Sequence, residues 1–227
     1  MKTFTITAPA IIRTQAFVTV QAESEEIKIM TTLPDYLPKE SKLVIVGINP
    51  SLVAARTGRY YSGRGNQFWP LINDSGLVAE RLGCSDAERV TEFGIGLTDL
   101  VKRPTKGSDG VSTREFVKGR DVLHRKLEGI DRPRVIAFNG KIAYEKFMGR
   151  KCEYGLQKER LYGARVYVLP STSRRCGRIS YRQKTQSFSK DSSVIESRGK
   201  WAHVVEWHDA VASCNGAKNR PSYEPPL

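Results

Sequence analysis

Apolar and polar positions divide the chain into short, dense hydrophobic runs separated by amphipathic stretches. Leu43-Val44-Ile45-Val46-Gly47-Ile48 is a β-branched run without polar alternation, the pattern of a strand buried on both faces. Val135-Ile136-Ala137-Phe138 and Val166-Tyr167-Val168-Leu169 have the same character, and Ile95-Gly96-Leu97 is a shorter version. Helix signals lie between these runs. Asn66 reads as the cap of a segment with Phe68, Leu71 and Ile72 on one helical face, and Ser112-Thr113-Arg114-Glu115 reads as a capping box opening a helix that runs to about Leu127. Strands alternating with helices predict an α/β domain of three layers, α/β/α. Its short central sheet is mostly parallel, with the runs at 43–48, 96–98, 135–138 and 166–169 side by side.

The flanks are patterned differently. Residues 1–40 carry alternating Thr, Val and Ile and the acidic run Glu23-Ser24-Glu25-Glu26, and they read as an N-terminal extension; an internal start at Met30 would place the first 29 residues outside the native protein. The folded domain is expected over 41–215. Within it, residues 182–197 are rich in Ser, Gln and Lys and read as a loose segment before a last helix around Trp201 to Val211. The tail, 216–227, ends in a Pro-rich stretch from Pro221 and is expected to be disordered.

Composition narrows the partner. The 227 residues suffice for one domain with extensions. Lys and Arg number 37 against 24 Asp and Glu, a formal net charge of +13, which favours polyanions such as nucleic acid or anionic lipid. No apolar stretch approaches the ~18 residues of a membrane span, so a soluble protein without a membrane role is expected. Cys84, Cys152, Cys176 and Cys214 lie far apart with no C-x-x-C pair, so neither a metal nor a cofactor is expected. A poor secretory signal points to the cytoplasm, at the nucleoid in a bacterium, or to the nucleus in a eukaryote.

In a parallel sheet, ligands bind beyond the carboxyl ends of the strands. The residues following each run are therefore the ones to read. Gly47-Ile48-Asn49-Pro50-Ser51 follows the first, with Arg59-Tyr60-Tyr61-Ser62-Gly63-Arg64-Gly65-Asn66-Gln67-Phe68-Trp69 downstream. Gly94-Ile95-Gly96-Leu97-Thr98-Asp99, Phe138-Asn139-Gly140-Lys141 and Leu169-Pro170-Ser171-Thr172-Ser173-Arg174-Arg175-Cys176 complete the set. These four ordered blocks, spread over residues 43–178, resemble the mismatch-specific uracil/thymine DNA glycosylases, family 2 of the uracil-DNA glycosylase superfamily. The resemblance implies the uracil-DNA glycosylase-like fold. It also implies a monomeric, monofunctional enzyme that flips a base out of double-stranded DNA carrying a G·U or G·T mismatch and hydrolyses its N-glycosidic bond.

Expelling a base builds positive charge on the sugar and negative charge on the base, so such a site positions a water and offers donors to the base. By resemblance, Asn49 orients the water. Asp99, where relatives vary, either activates water, steadies the sugar cation, or caps a turn. Gly47, Ile48, Tyr60, Tyr61 and Ser171 wall the base pocket, Tyr61 being the aromatic that stacks on the flipped base. Tyr60 stands where thymine-processing relatives carry histidine. Arg175 matches the wedge that fills the gap left by the extruded nucleotide, and Arg174, Ser173, Ser108 and Lys141 match phosphate contacts. No lysine falls in the position of a lyase nucleophile. Segment 171–184 holds Arg174, Arg175, Arg178, Arg182 and Lys184 without an acid; such a run is often a solvated basic loop, yet its place right after a strand run favours DNA contact. The competing reading is a non-catalytic basic nucleic-acid-binding module. A small-molecule hydrolase is disfavoured by the basic excess and the lack of a G-x-S-x-G elbow.

Overall fold

The computed structural model describes residues 32–188 except 132 and 175–178. Its strands are β1 (Leu43–Gly47), β2 (Ile95–Asp99), β3 (Val135–Asn139), β4 (Gly155–Leu161) and β5 (Ala164–Leu169). Its α-helices are α1 (Leu52–Thr57), α2 (Phe68–Asp74), α3 (Thr113–Glu128), α4 (Lys141–Met148) and α5 (Tyr181–Phe188), with 3₁₀ segments at Cys84–Phe93 and Ser108–Gly110. The sheet order is β2-β1-β3-β5-β4. β1 pairs in parallel with β2 and β3, β3 in parallel with β5, and β4 runs antiparallel to β5.

Continuous apolar runs produce this sheet because both of its faces are covered. Every residue of β1, β2 and β3 is buried. Leu43, Ile45, Leu97 and Tyr167 face one core with Phe68, Leu71 and Ile72 of α2, whereas Val44, Val46, Phe138 and Val168 face a second core with Phe116 and Leu123 of α3 and Phe147 of α4. Three α/β/α layers follow, as the strand runs predict. The Ser112 capping box is formed: Ser112 Oγ accepts from Glu115 N at 3.3 Å, and Glu115 Oε2 accepts from Ser112 N at 2.9 Å.

Four features differ from the sequence reading. β4 is an added edge strand. Residues 181–188 form a helix instead of a loose segment; Ser180 and Gln183 make its N-terminal capping pair, with Gln183 N donating to Ser180 Oγ at 3.3 Å and Ser180 N to Gln183 Oε1 at 2.9 Å. Asn66 does accept from Phe68 N at 3.0 Å, but Gln67 occupies the cap position of α2 and its side chain caps nothing. Residues 33–36, grouped by pattern with the extension, belong to the folded body. Leu33 is buried, and Tyr36 forms an antiparallel bridge to Leu97 through hydrogen bonds of 3.0 and 2.8 Å. The expected helix at 201–211 and the tail lie outside the described residues.

Helix α3 lies close to the chain leaving β2, and Gly119 makes that possible. A Cβ there would stand 2.3 Å from the Leu100 carbonyl oxygen and 3.2 Å from Val101 Cγ2. Helix propensity alone would make Gly119→Ala stabilising by about 1 kcal/mol. The overlap is with backbone, so the helix must shift, and overpacking of that kind costs about 1–3 kcal/mol. A lower urea midpoint for Gly119→Ala, beside an unchanged midpoint for exposed Val117→Ala, is the expected result.

Candidate active site

The carboxyl ends of β1, β2, β3 and β5 open into one cavity of about 590 Å³. Asn49, Asp99, Gly47, Ile48, Tyr60, Tyr61, Ser171, Ser173, Arg174, Ser108 and Lys141 all line it, which brings together every sequence-predicted site residue except Arg175. Arg175 lies outside the described residues. The loops are fixed to one another by backbone. Leu100 N donates to Gly47 O at 3.0 Å, Val101 N to Ile48 O at 2.8 Å and Thr105 N to Pro50 O at 3.1 Å. Ser51 starts α1 by accepting from Ala54 N at 3.1 Å.

Those contacts set the polarity of Asn49. Its Nδ2 donates to Thr105 Oγ1 at 2.7 Å and to the Arg103 carbonyl at 3.0 Å. Thr105 can accept because its own hydroxyl donates to Gly107 O at 2.6 Å. A carbonyl partner accepts only, so the nitrogen must face it, and Oδ1 is left as an acceptor with no hydrogen bond among the described residues.

Asp99 sits behind Gly47 at the buried end of the cavity. A Cβ on Gly47 would lie 2.2 Å from Asp99 Oδ1 and 3.4 Å from the Tyr61 hydroxyl, so glycine is what lets the carboxyl approach. Asp99 is 5% exposed and its Oδ2 has no hydrogen bond among the described residues. Burial pushes its pKa up to about 6; Lys102 and Lys126 pull down against this and Asp35 adds to it. Burial, and then the Asp99 charge, also hold the Tyr61 phenol above its usual range.

The two tyrosines part company. Tyr61 has φ +55, a conformation rarely taken by non-glycine residues, and its ring stacks on Phe68 with centroids 3.9 Å apart. Tyr60 borders the cavity, but its ring belongs to the core and its hydroxyl donates to Pro34 O at 2.9 Å.

At the rim, Lys141 donates to Glu153 Oε2 at 2.7 Å and lies 4.7 Å from the centre of the Tyr154 ring. Arg174 lies across Gly65, whose φ is +78; its Cδ would be 2.6 Å from a Cβ there. Sequence reasoning missed Asn139. Its amide donates to Thr172 Oγ1 and accepts from Thr172 N, both at 3.0 Å, tying the end of β3 to the loop after β5. Asn139 ends β3 in the Phe-Asn-Gly-Lys block, directly after the apolar run 135–138, which is the signal that would have found it. Arg64 and Lys106 are further cations on the cavity lining.

An oriented acceptor, a buried carboxyl and aromatic walls in one pocket can hold a flat heterocycle and a water beside it. Residues 34–190 match the family profile described as the Uracil DNA glycosylase superfamily. Among solved structures, the chain is similar to the solution NMR structure of a candidate uracil DNA glycosylase from Methanosarcina acetivorans. Identity is 23%, the match covers 69% of this chain and 92% of that one, and the TM-score is 0.47.

Proposed function

The chain belongs to the uracil DNA glycosylase superfamily, and from that membership we propose that it is a monofunctional glycosylase of base excision repair that removes uracil mispaired with guanine. Thymine and modified pyrimidines are further candidate substrates, and the partner is duplex DNA carrying a G·U or G·T mismatch. The polarity of Asn49 carries the reading. With Nδ2 engaged by Thr105 and Arg103, the free Oδ1 accepts a hydrogen bond from a water and turns its oxygen toward the sugar.

The water oxygen bonds to the anomeric carbon as the N-glycosidic bond breaks. The bonding pair leaves with the base, and the proton from water returns to solvent or to the base. Tyr61 packs against the flipped base, and Asp99 steadies the cationic sugar or assists the water. Ser171, Ser173, Ser108, Lys141 and Arg174 take phosphates, and Arg175 fills the vacated stack.

Incubating the protein with G·U, G·T and A·U duplexes and with single-stranded uracil DNA, then scoring alkali-labile abasic sites, tests the activity. Binding without abasic sites would instead establish a non-catalytic DNA-binding module. Phosphate contacts are tested by salt. Lys141→Ala and Arg174→Ala should each flatten the slope of log affinity against log salt by about 0.9, and an unchanged slope would make that residue a bystander.

A further inference from the structure

The segment before β1 brings an acid to the back of the cavity. One Asp35 oxygen pairs with Lys102 and accepts from Thr98 Oγ1 at 2.5 Å; the other pairs with Lys126 of α3 at 2.7 Å. Lys102 follows β2 by three residues, near enough in sequence to pair with Asp99. It pairs with Asp35 instead and acts on Asp99 only at a distance. Besides Asp35, its ammonium donates to Leu33 O at 3.1 Å and to the Tyr60 hydroxyl at 3.4 Å. An ammonium has three donors, and these three acceptors engage them all. Asp99 Oδ2 is meanwhile buried without a hydrogen bond among the described residues.

We propose that Asp35 is a positioning residue which, by holding Lys102 and Lys126, keeps the Asp99 carboxyl of the candidate active site without a cation of its own. Its importance for catalysis rests on the glycosylase reading; its effect on Asp99 does not. The groups around Asp99 are Asp35 from the N-terminal segment, Lys102 after β2, Lys126 of α3, and Tyr60 and Tyr61 from the loop before α2. Burial tends to raise the pKa of Asp35, but the two lysines outweigh it and hold it low, so Asp35 stays anionic at neutral pH. It therefore repels a charge on Asp99 while holding in its own ion pairs the two cations that act on Asp99 only from a distance. Asp99 accordingly changes protonation near pH 6 and offers the pocket a donor below that point and an acceptor above it.

The test is an NMR titration of the Asp99 carboxyl carbon in the full chain. In Asp35→Asn a like charge disappears and Lys102 is released, so the midpoint should fall by roughly one pH unit. In Lys126→Met, Asp35 still holds Lys102 but one stabilising cation is gone, so the midpoint should rise. A merely structural role would expose Asp99 and move both midpoints down. Under the glycosylase reading, the acid limb of the single-turnover rate follows the midpoint in each variant. Midpoints that stay at the wild-type value, or that fall in both variants, overturn the assignment; should Asp35→Asn fail to fold, a midpoint in Lys126→Met that does not rise overturns it alone. Midpoints that part as expected in a protein that cleaves no uracil would support the role of Asp35 and sink the glycosylase reading.

Discussion

Asn49→Ala is expected to lower single-turnover release of uracil from a G·U duplex by about 10²–10³-fold, the usual loss when one oriented polar group is removed from a reacting centre. Asn49 projects from a loop whose backbone is pinned by Thr105 N to Pro50 O and Val101 N to Ile48 O, so truncation deletes the acceptor while leaving the loop in place. Thymine is a poorer leaving group than uracil and leans harder on the water, so any G·T activity should fall further. Asn49→Asp keeps an acceptor but sets a carboxylate oxygen against the Arg103 carbonyl, and should recover only part of the loss. DNA affinity measured alongside should stay near wild type. A rate for Asn49→Ala within a few fold of wild type would remove Asn49 from the reaction.

Asp99→Asn should make the protein more stable at neutral pH. The folded-state pKa of Asp99 is raised to about 6 from the ordinary aspartate value of 3.8. A raised acid contributes stability in its protonated form. That contribution is complete below about pH 4 and is lost as pH climbs through 6, where the buried carboxylate must ionise. A shift of about two pH units corresponds to roughly 3 kcal/mol, the upper limit of the expected gain at pH 8 from a side chain of similar shape that never ionises. Urea unfolding at pH 4 and pH 8 checks this: the variant and wild type should nearly coincide at pH 4 and separate at pH 8. A difference of equal size at both pH values would mean that the charge is not the cause. Asp99→Ala should cost activity by a factor like that for Asn49→Ala, with Asp99→Asn retaining more, and losing both groups should be worse than losing either. Stability given up for a charge inside a pocket is the usual mark of a functional group.

The strands were legible where both faces are buried, because burial there leaves no polar position to blur the run. β4 was not: as an edge strand, it places Lys158 and Arg160 outward, and no continuous apolar run marks it. Helix α5 escaped notice because what it buries is polar, Lys184 donating to Gln67 Oε1 at 2.9 Å and Ser187 to Gln183 O at 3.0 Å, so no apolar stripe marks it. Residues 33–36 escaped for a similar reason, since an acid between two lysines gives no periodicity. At the site, Asn49, Asp99 and Ser171 could be found because each stands at or just past the end of a strand run, whereas Tyr61, beyond α1, could be found only through the Arg59–Trp69 block that carries the family resemblance. The Glu153 partner of Lys141 and the Thr172 partner of Asn139 come from distant parts of the chain, and no local pattern announces them.

The bridge from Tyr36 to Leu97 has a consequence for solution behaviour. β2 is the outer strand of the parallel side of the sheet, with a row of backbone donors and acceptors on its free side. The 33–36 segment sheathes it, and Gly96 leaves the room: a Cβ there would meet Leu37 Cδ2 at 2.9 Å and Tyr36 O at 3.1 Å. A shortened protein starting at residue 41 would therefore present an uncovered, apolar edge to its neighbours, and its characteristic failure would be strand-to-strand aggregation, with misfolded particles accumulating before any loss of turnover could be measured.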